Sequence, residues 1–148
     1  MPKPNIFLDS SALIAGAISE TGAAYALLQL GETGDILITI SEMVLVESER
    51  SVAKKSPGSL SDLRRLIKIA NLRIVGDPSQ KVIAANLYLI KDPNDAPILL
   101  AAMKSKVDFL ATHNRKHFLE DSKVAEKSGL RIGTPGDALA WIRENLGS

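Results

Sequence analysis

The chain has no cysteine, which excludes a disulfide framework, a thiolate-bound zinc or iron–sulfur centre and a thiol nucleophile. It also lacks an excess of either charge: 18 Lys and Arg face 17 Asp and Glu, a formal net charge of +1. Neither a polybasic nucleic-acid tail nor an acidic disordered chain fits that balance, since phosphate binding ordinarily shows as a basic excess. No apolar run approaches the roughly 18 residues a membrane helix needs. The start Met1-Pro2-Lys3-Pro4-Asn5, before one short apolar run, has no signal-peptide core, so no membrane association and a cytoplasmic location are expected. Internal repeats, low-complexity tracts and linkers are missing too; only short turns such as Ser56-Pro57-Gly58 and Gly76-Asp77-Pro78 interrupt the pattern. What remains is 148 residues, 45% hydrophobic and 24% charged, enough for one domain over residues 1–148 that buries roughly 70% of its unfolded surface.

Ile6-Phe7-Leu8 reads as a strand ending at Asp9-Ser10-Ser11, which can cap a helix beginning near Ala12. Helix formers fill the stretch from Gly22 to Gly31, and Ile36 to Ile40 follows as a β-branched strand. Ser41 starts a further helix that ends before Pro57. Leu63, Leu66, Ile67 and Ala70 lie at i, i+3, i+4 and i+7, opposite Arg64, Arg65 and Lys68, so an amphipathic surface helix is expected there. Leu72 to Val75 reads as a strand, Ser79 to Ile90 as a helix, and Pro97 falls in the first turn of a helix running to about Ser105. Val107 to Ala111 and Leu130 to Ile132 read as strands, and Pro135 to Leu146 as a closing helix with Trp141 on its apolar side. This alternation predicts a three-layer α/β/α fold around a mostly parallel sheet of about 4–5 strands.

Parallel sheets collect ligands beyond the carboxyl ends of their strands. Asp9 follows the first strand, Asp92 and Asp95 bracket the start of the helix at Pro97, and Thr112-His113-Asn114 follow the strand ending at Ala111. Glu47, in the locally apolar stretch Val44 to Ser48, reaches the same edge if its helix packs beside the first strand. Such carboxylates repel unless protonated or neutralised by a cation. With neither His nor Cys as a ligand nearby, oxygen donors favour Mg²⁺ or Mn²⁺ over zinc, ions suited to phosphodiester chemistry. Simpler roles exist for each acid: Asp9 and Asp95 as helix caps, Asp92 before Pro93 as a turn residue, Glu47 as an ordinary helix-surface acid. His113 and His117 lie at i and i+4 without the acid of a His-Glu-x-x-His zinc site, so polar surface or phosphate contact suits them better.

Together, Ile6 to Ile14, Ser41 with Glu47, Asp92-Pro93-Asn94-Asp95 leading into Ile98 to Ala102, and Asp108 to Asn114 resemble the PIN-domain family. These are metal-dependent ribonucleases that include the toxin subunits of many prokaryotic toxin–antitoxin pairs. The resemblance implies that Asp9, Glu47 and Asp95 are the principal acids that hold the metal and serve catalysis. Asp92 is then an additional acid, and Ser11 and Thr112 are hydrogen-bonding supports. Family members often carry an Asp at the position of Asn114. A neutral amide can still bind a metal through oxygen or water, but weakens a second metal site. The implied reaction is hydrolysis of an RNA phosphodiester by a metal-activated water, leaving a 5′-phosphate and a 3′-hydroxyl.

Arg115, Lys116 and His117 are the expected RNA contacts, with Lys54-Lys55 and Arg64-Arg65 flanking a possible cleft wall. An antitoxin partner and a homodimer also follow from the resemblance. The competing reading is a weakened PIN-like domain that binds RNA or a protein partner without cutting, the reading Asn114 keeps open. A phosphatase of the aspartyl-phosphate type is disfavoured because Ser11 stands where its second Asp belongs, and no middle strand offers a receiver's phosphoacceptor. If Asp9, Glu47, Asp92 and Asp95 share one pocket, 13 of the 17 acids remain against 18 basic residues. The near-neutral total would then conceal a modestly basic surface around an acidic hole.

Overall fold

The computed structural model describes residues 2–146, with the side chain of Arg115 outside that description. Five strands form one sheet in the order β3-β2-β1-β4-β5, every neighbouring pair parallel. The strands are β1 (Asn5–Leu8), β2 (Leu37–Ser41), β3 (Arg73–Val75), β4 (Phe109–Ala111) and β5 (Ile132–Gly133). The helices are α1 (Ser10–Ile18), α2 (Ala23–Thr33), α3 (Glu42–Lys55), α4 (Leu60–Ile69), α5 (Gln80–Ala85), α6 (Ala96–Lys104), α7 (Ser122–Ser128) and α8 (Pro135–Leu146). Parallel connections cross over right-handedly. The chain runs one way along the sheet from β1 to β3 and the other way from β3 to β5, so the crossover helices of the first half, α1 to α4, share one face, and those after β3 cover the other to complete three layers. The order reverses between β1 and β4, which makes their carboxyl ends the switch point where ligands gather in such sheets.

Both faces of the sheet are covered, so the central strands are apolar throughout: Ile6, Phe7, Leu8, Ile38, Ile40, Phe109, Leu110 and Ala111 are all buried. The buried polar group Thr39 donates its hydroxyl to Asn5 Oδ1 at 2.8 Å, and the Asn5 amide donates to Asp108 Oδ2 at 2.7 Å. α4 buries Leu63 and Leu66 and exposes Arg64, Arg65 and Lys68, the stripe its spacing predicts. Trp141 of α8 is half-buried, its ring 6.0 Å from that of Phe109, with the Arg131 guanidinium 5.2 Å above it.

The expected elements differ in three places. The helix read over Ser79 to Ile90 is only α5, followed by a 3₁₀ turn at Leu87–Leu89. Asn86 ends it by donating Nδ2 to the Val82 carbonyl at 2.8 Å, the side-chain competition with backbone that makes Asn a poor interior helix residue. The last strand is Ile132–Gly133 rather than Leu130 to Ile132, and α7 went unread. Among the described residues, no single helix is long and apolar enough to cross a membrane.

α2 packs closely because Gly31 has no side chain: a Cβ there would stand 2.8 Å from Ile38 Cδ1 and 3.1 Å from the Ala70 carbonyl oxygen. Overpacking costs about 1–3 kcal/mol, more than the ~0.5–1 kcal/mol that Ala gains over Gly within a helix. Gly31→Ala should therefore lower the urea midpoint; an unchanged or raised midpoint would show that β2 and the α4 terminus yield freely.

Candidate functional site

Asp9 lies at the switch point. Its amide donates to the Ala111 carbonyl at 3.2 Å, so the β1–β4 pairing continues into the site. The side chain is 4% exposed. Its Oδ1 accepts from Ser11 Oγ at 2.6 Å and from the Ala12 amide at 2.9 Å, and its Oδ2 accepts from the Thr112 hydroxyl. The helix-cap reading of Asp9 is therefore correct, yet only one of its bonds serves the cap. Ser11 Oγ in turn accepts the His113 amide at 3.0 Å, and Thr112 Oγ1 accepts the Asn114 amide at 2.9 Å. The expected partners Ser11 and Thr112 thus tie β4's exit to the buried carboxylate.

Glu47 is delivered by α3, which Ser41 caps by accepting the Val44 amide at 3.3 Å. It is half-buried, and the Ser10 hydroxyl hydrogen-bonds its carboxylate. Asp95 precedes α6 but makes no side-chain cap bond; its carboxylate is directed instead to His117. Asp92 does act as a turn residue, its Oδ1 accepting the Asn94 amide at 2.9 Å, while Oδ2 stands 3.7 Å from His117 Nε2.

The acids feel one another. Burial pushes the Asp9 carboxyl above its ordinary range, against the pull of its bonds from Ser11, Thr112 and Ala12. Burial likewise raises Glu47, where the Ser10 bond opposes the shift and the charges of Asp95 and Asp9 add to it. Asp95 is raised mainly by burial, with His117 opposing and Asp92 and Asp9 reinforcing. Asp9, Glu47 and Asp95 therefore share one electrostatic site.

The absence of a nearby histidine does not hold. His117 Nδ1 lies 2.5 Å from Asp95 Oδ2, although that oxygen is fully buried and receives no well-aligned hydrogen bond. Asp92, Asp95 and His117 bring one potential ligand atom each to within 4.8 Å of one another. His117 is turned inward by Asn114. A single π-type turn spans Arg115–Leu119; the Asn114 carbonyl accepts the Phe118 and Leu119 amides at 3.1 and 3.4 Å, and its Oδ1 accepts the His117 amide at 3.2 Å. Asn114 Nδ2 also lies 3.4 Å from His117 Nδ1. Lys116 is exposed and, with Lys91, Asp92 and His117, lines a cavity of 420 Å³ beside the acids. The Arg115 side chain lies outside the described residues. Ser10, Arg50 and the inward role of His117 were missed in the sequence, although Arg50 at i+3 from Glu47 was a visible signal.

A doubly wound α/β domain with three carboxylates at its switch point, each raised first by burial, is what fold and site define. A family model described as PIN domain matches residues 5–116, and the chain belongs to the PIN-domain family. No curated protein matches it at a significant level. Among solved structures it is similar to VapBC2 from Rickettsia felis, bound to a DNA fragment from its promoter, with 22% identity over 88% of this chain and 98% of that one, and a TM-score of 0.61. It is also similar to PAE2754 from Pyrobaculum aerophilum, with 15% identity over 95% and 96% of the two chains and a TM-score of 0.65. At these identities the likeness is one of fold.

The raised carboxyls carry a stability consequence. Asp9 and Asp95 are raised from 3.8 and Glu47 from 4.5, so the native state holds protons that the unfolded chain has already lost. Stability then falls as pH rises from those ordinary values through the raised ones. In metal-free protein, Asp95→Asn should raise Tm near neutral pH, with the gain shrinking toward about pH 4. A Tm equal to wild type at neutral pH would mean that the acids do not strain the fold.

Proposed function

We propose that the chain is a Mg²⁺- or Mn²⁺-dependent ribonuclease that hydrolyses RNA phosphodiester bonds. The observation that carries this reading is the convergence of Asp9, Glu47 and Asp95, each disfavoured as an anion where it sits. The donor set fits a divalent cation. A carboxylate offers about four lone-pair positions, of which Asp9 uses three on Ser11, Ala12 and Thr112. Asp95 Oδ2 is a buried acceptor without an aligned donor. Asp9, Glu47 and Asp95 would hold the cation, with Asp92 beside them. When bound, such a cation offsets charge that develops on the phosphate and acidifies a neighbouring water.

The remaining work falls to this chain's own residues. Thr112 and Ser11 fix the Asp9 carboxylate, Ser10 orients Glu47, and a carboxylate at the pocket accepts the proton released from the attacking water. Asn114 spends its amide oxygen on the His117 backbone, which supports a single strong cation site rather than two. His117 adds a nitrogen donor, which suits Mn²⁺ better than Mg²⁺. Lys116 and His117, which line the cavity beside the acids, are proposed RNA contacts together with Arg115, whose side chain lies outside the described residues. The reading extends to the toxin of a toxin–antitoxin pair, supported by fold likeness to VapBC2. It also includes a homodimer; an apolar groove of 570 Å³ between α2 and α8, lined by Leu30, Leu139, Ile142 and Leu146 among others, is the surface we assign to it. A PIN domain that binds without cutting is the second reading, favoured by Asn114 in place of an acid.

Cleavage of mixed single-stranded and structured RNAs should require Mn²⁺ or Mg²⁺ and stop with EDTA. Asp9→Asn and Asp95→Asn should each reduce the rate by about 100-fold or more, the scale of removing one preorganised charge-stabilising group. Activity that survives EDTA, or persists at wild-type rate in both variants, would sink the metal-nuclease reading. Failure of wild type on every RNA would favour the binding module. In a separate measurement, His117→Ala should narrow the preference of metal binding for Mn²⁺ over Mg²⁺ in calorimetric titrations; an unaltered ratio would remove His117 from the metal's surroundings.

A further inference from the structure

Glu47, Arg50, Ser51 and Lys54 stand at i, i+3, i+4 and i+7 on α3, so they form one stripe along the helix surface. The stripe begins at the acidic pocket and runs toward the helix's C-terminus. Facing it from α1 are Ser10 and Ile14, and between the two helices lies a cavity of 320 Å³ that Lys55 also borders. Ser10 is the residue that hydrogen-bonds Glu47, so this groove opens directly onto the acids.

The cations of the region sort into two groups. Arg64 is engaged by Glu49, through Nε at 3.1 Å and Nη2 at 3.0 Å, and Arg65 faces Asp62 at 3.7 Å. Among the described residues no carboxylate lies within ion-pair distance of Arg50, Lys54 or Lys55, and all three are exposed. Complementing the negative end of α3 accounts for Lys54 and Lys55. Arg50, more than a turn further in, acts through its charge on Glu47, which it helps to keep ionised, but neither role accounts for a stripe of cations that borders a groove.

We infer that this groove is a track for the substrate strand, in which Arg50 and Lys54 hold backbone phosphates of RNA to one side of the bond presented to Asp9, Glu47 and Asp95. The inference rests on the ribonuclease reading for its substrate class. Four residues along a helix separate Arg50 from Lys54 by about 6 Å of rise, so the two cations meet separate charges on an extended polyanion rather than one. Ile14 gives the groove an apolar wall beside them, suited to a ribose or base edge. Lys91 and Lys116 border the second cavity, which shares no lining residue with this groove, so the acids have cations beside them in two separate places. Arg50 and Lys54 are positioning residues on this account, since the reacting phosphate is held elsewhere.

The test measures binding apart from cutting. In the Asp9→Asn background, a short mixed-sequence single-stranded RNA with a fluorescent label is titrated with protein at several salt concentrations, with Mg²⁺ held constant. Each lost phosphate contact on a single strand should flatten the log–log salt dependence by about 0.7. Arg50→Ala with Lys54→Ala should therefore flatten it by about 1.4 and weaken binding roughly tenfold or more at low salt. Arg64→Ala with Arg65→Ala should leave the slope unchanged. In the cutting protein, the Arg50/Lys54 pair should raise KM with little effect on kcat, and Arg50→Lys should restore most of the affinity. An unchanged slope and KM in the Arg50/Lys54 double variant would overturn the track even if cleavage is intact. A flattened slope in a protein that never cuts would leave the track standing and the nuclease reading overturned. Loss of binding to an acidic peptide in the double variant, with RNA binding unaffected, would assign the groove to a protein partner and overturn the inference.

Discussion

The structure around the switch point is organised by one costly act, the burial of the Asp9 carboxylate. An ionised carboxylate removed from water is tolerated only with compensating donors. Those donors come from two places: Ser11 and Ala12 on the first turn of α1, and Thr112 at the exit of β4. Because the Asp9 amide also bonds to Ala111, one residue joins β1, β4 and α1 at a single point. The same bonds that make the acid affordable also fix its orientation. Asp9 is held by structure, whereas Glu47 and Asp95 arrive from separate helices and meet it mainly through repulsion. Repulsion of this kind does not hold a fold together; it stores a demand for positive charge at one point.

His117 is the chain's own nearest partner to those acids. Its ring sits against Asp95 and near Asp92, and its position is set by Asn114 through a backbone turn rather than by packing alone. Asn114 thus does two things: it adds no negative charge beside the acids, and its side-chain oxygen organises the turn that brings an imidazole inward.

How far this was legible in the sequence depended on whether a local pattern carried the information. Strands buried on both faces announce themselves as continuous apolar runs, and helix starts at Asp9, Ser41 and Pro97 carry capping chemistry, so β1, β2, α1, α3 and α6 were readable to within a residue or two. That Asp9 and Asp95 fall at one edge followed from the assumption of a parallel sheet, and Glu47 joined them only on the further condition that its helix packs beside the first strand. What failed was of another kind. The break at Asn86 depends on one side chain competing for a carbonyl, and α7 is too short and polar for a periodic signal. The inward turn of His117 depends on a π-type turn that no propensity encodes. Arg50 was passed over because a cation one turn from an acid reads as an ordinary helix pair, which its effect on Glu47 bears out; the cavity beside it is what the sequence does not show.

The near-zero net charge takes on a different meaning once it is distributed in space. A total of +1 describes a polyanion's view only from well beyond a Debye length, about 8–10 Å at physiological salt. Closer in, under the proposed reading, the cations of α3 and the lysines beside Asp92 would attract a phosphate backbone, while the acids between them would repel it. Under the proposed reading the two regions act on different parts of one strand. Flanking phosphates can settle on Arg50 and Lys54 whatever the state of the pocket, but the phosphate over Asp9, Glu47 and Asp95 can approach only when positive charge already stands there. Linkage then works in both directions: a cation in the pocket favours close approach of the strand, and the strand's own charge favours retention of the cation. The balance of 18 against 17 is in that sense a division of labour between a basic rim and an acidic centre, which a composition near neutrality conceals.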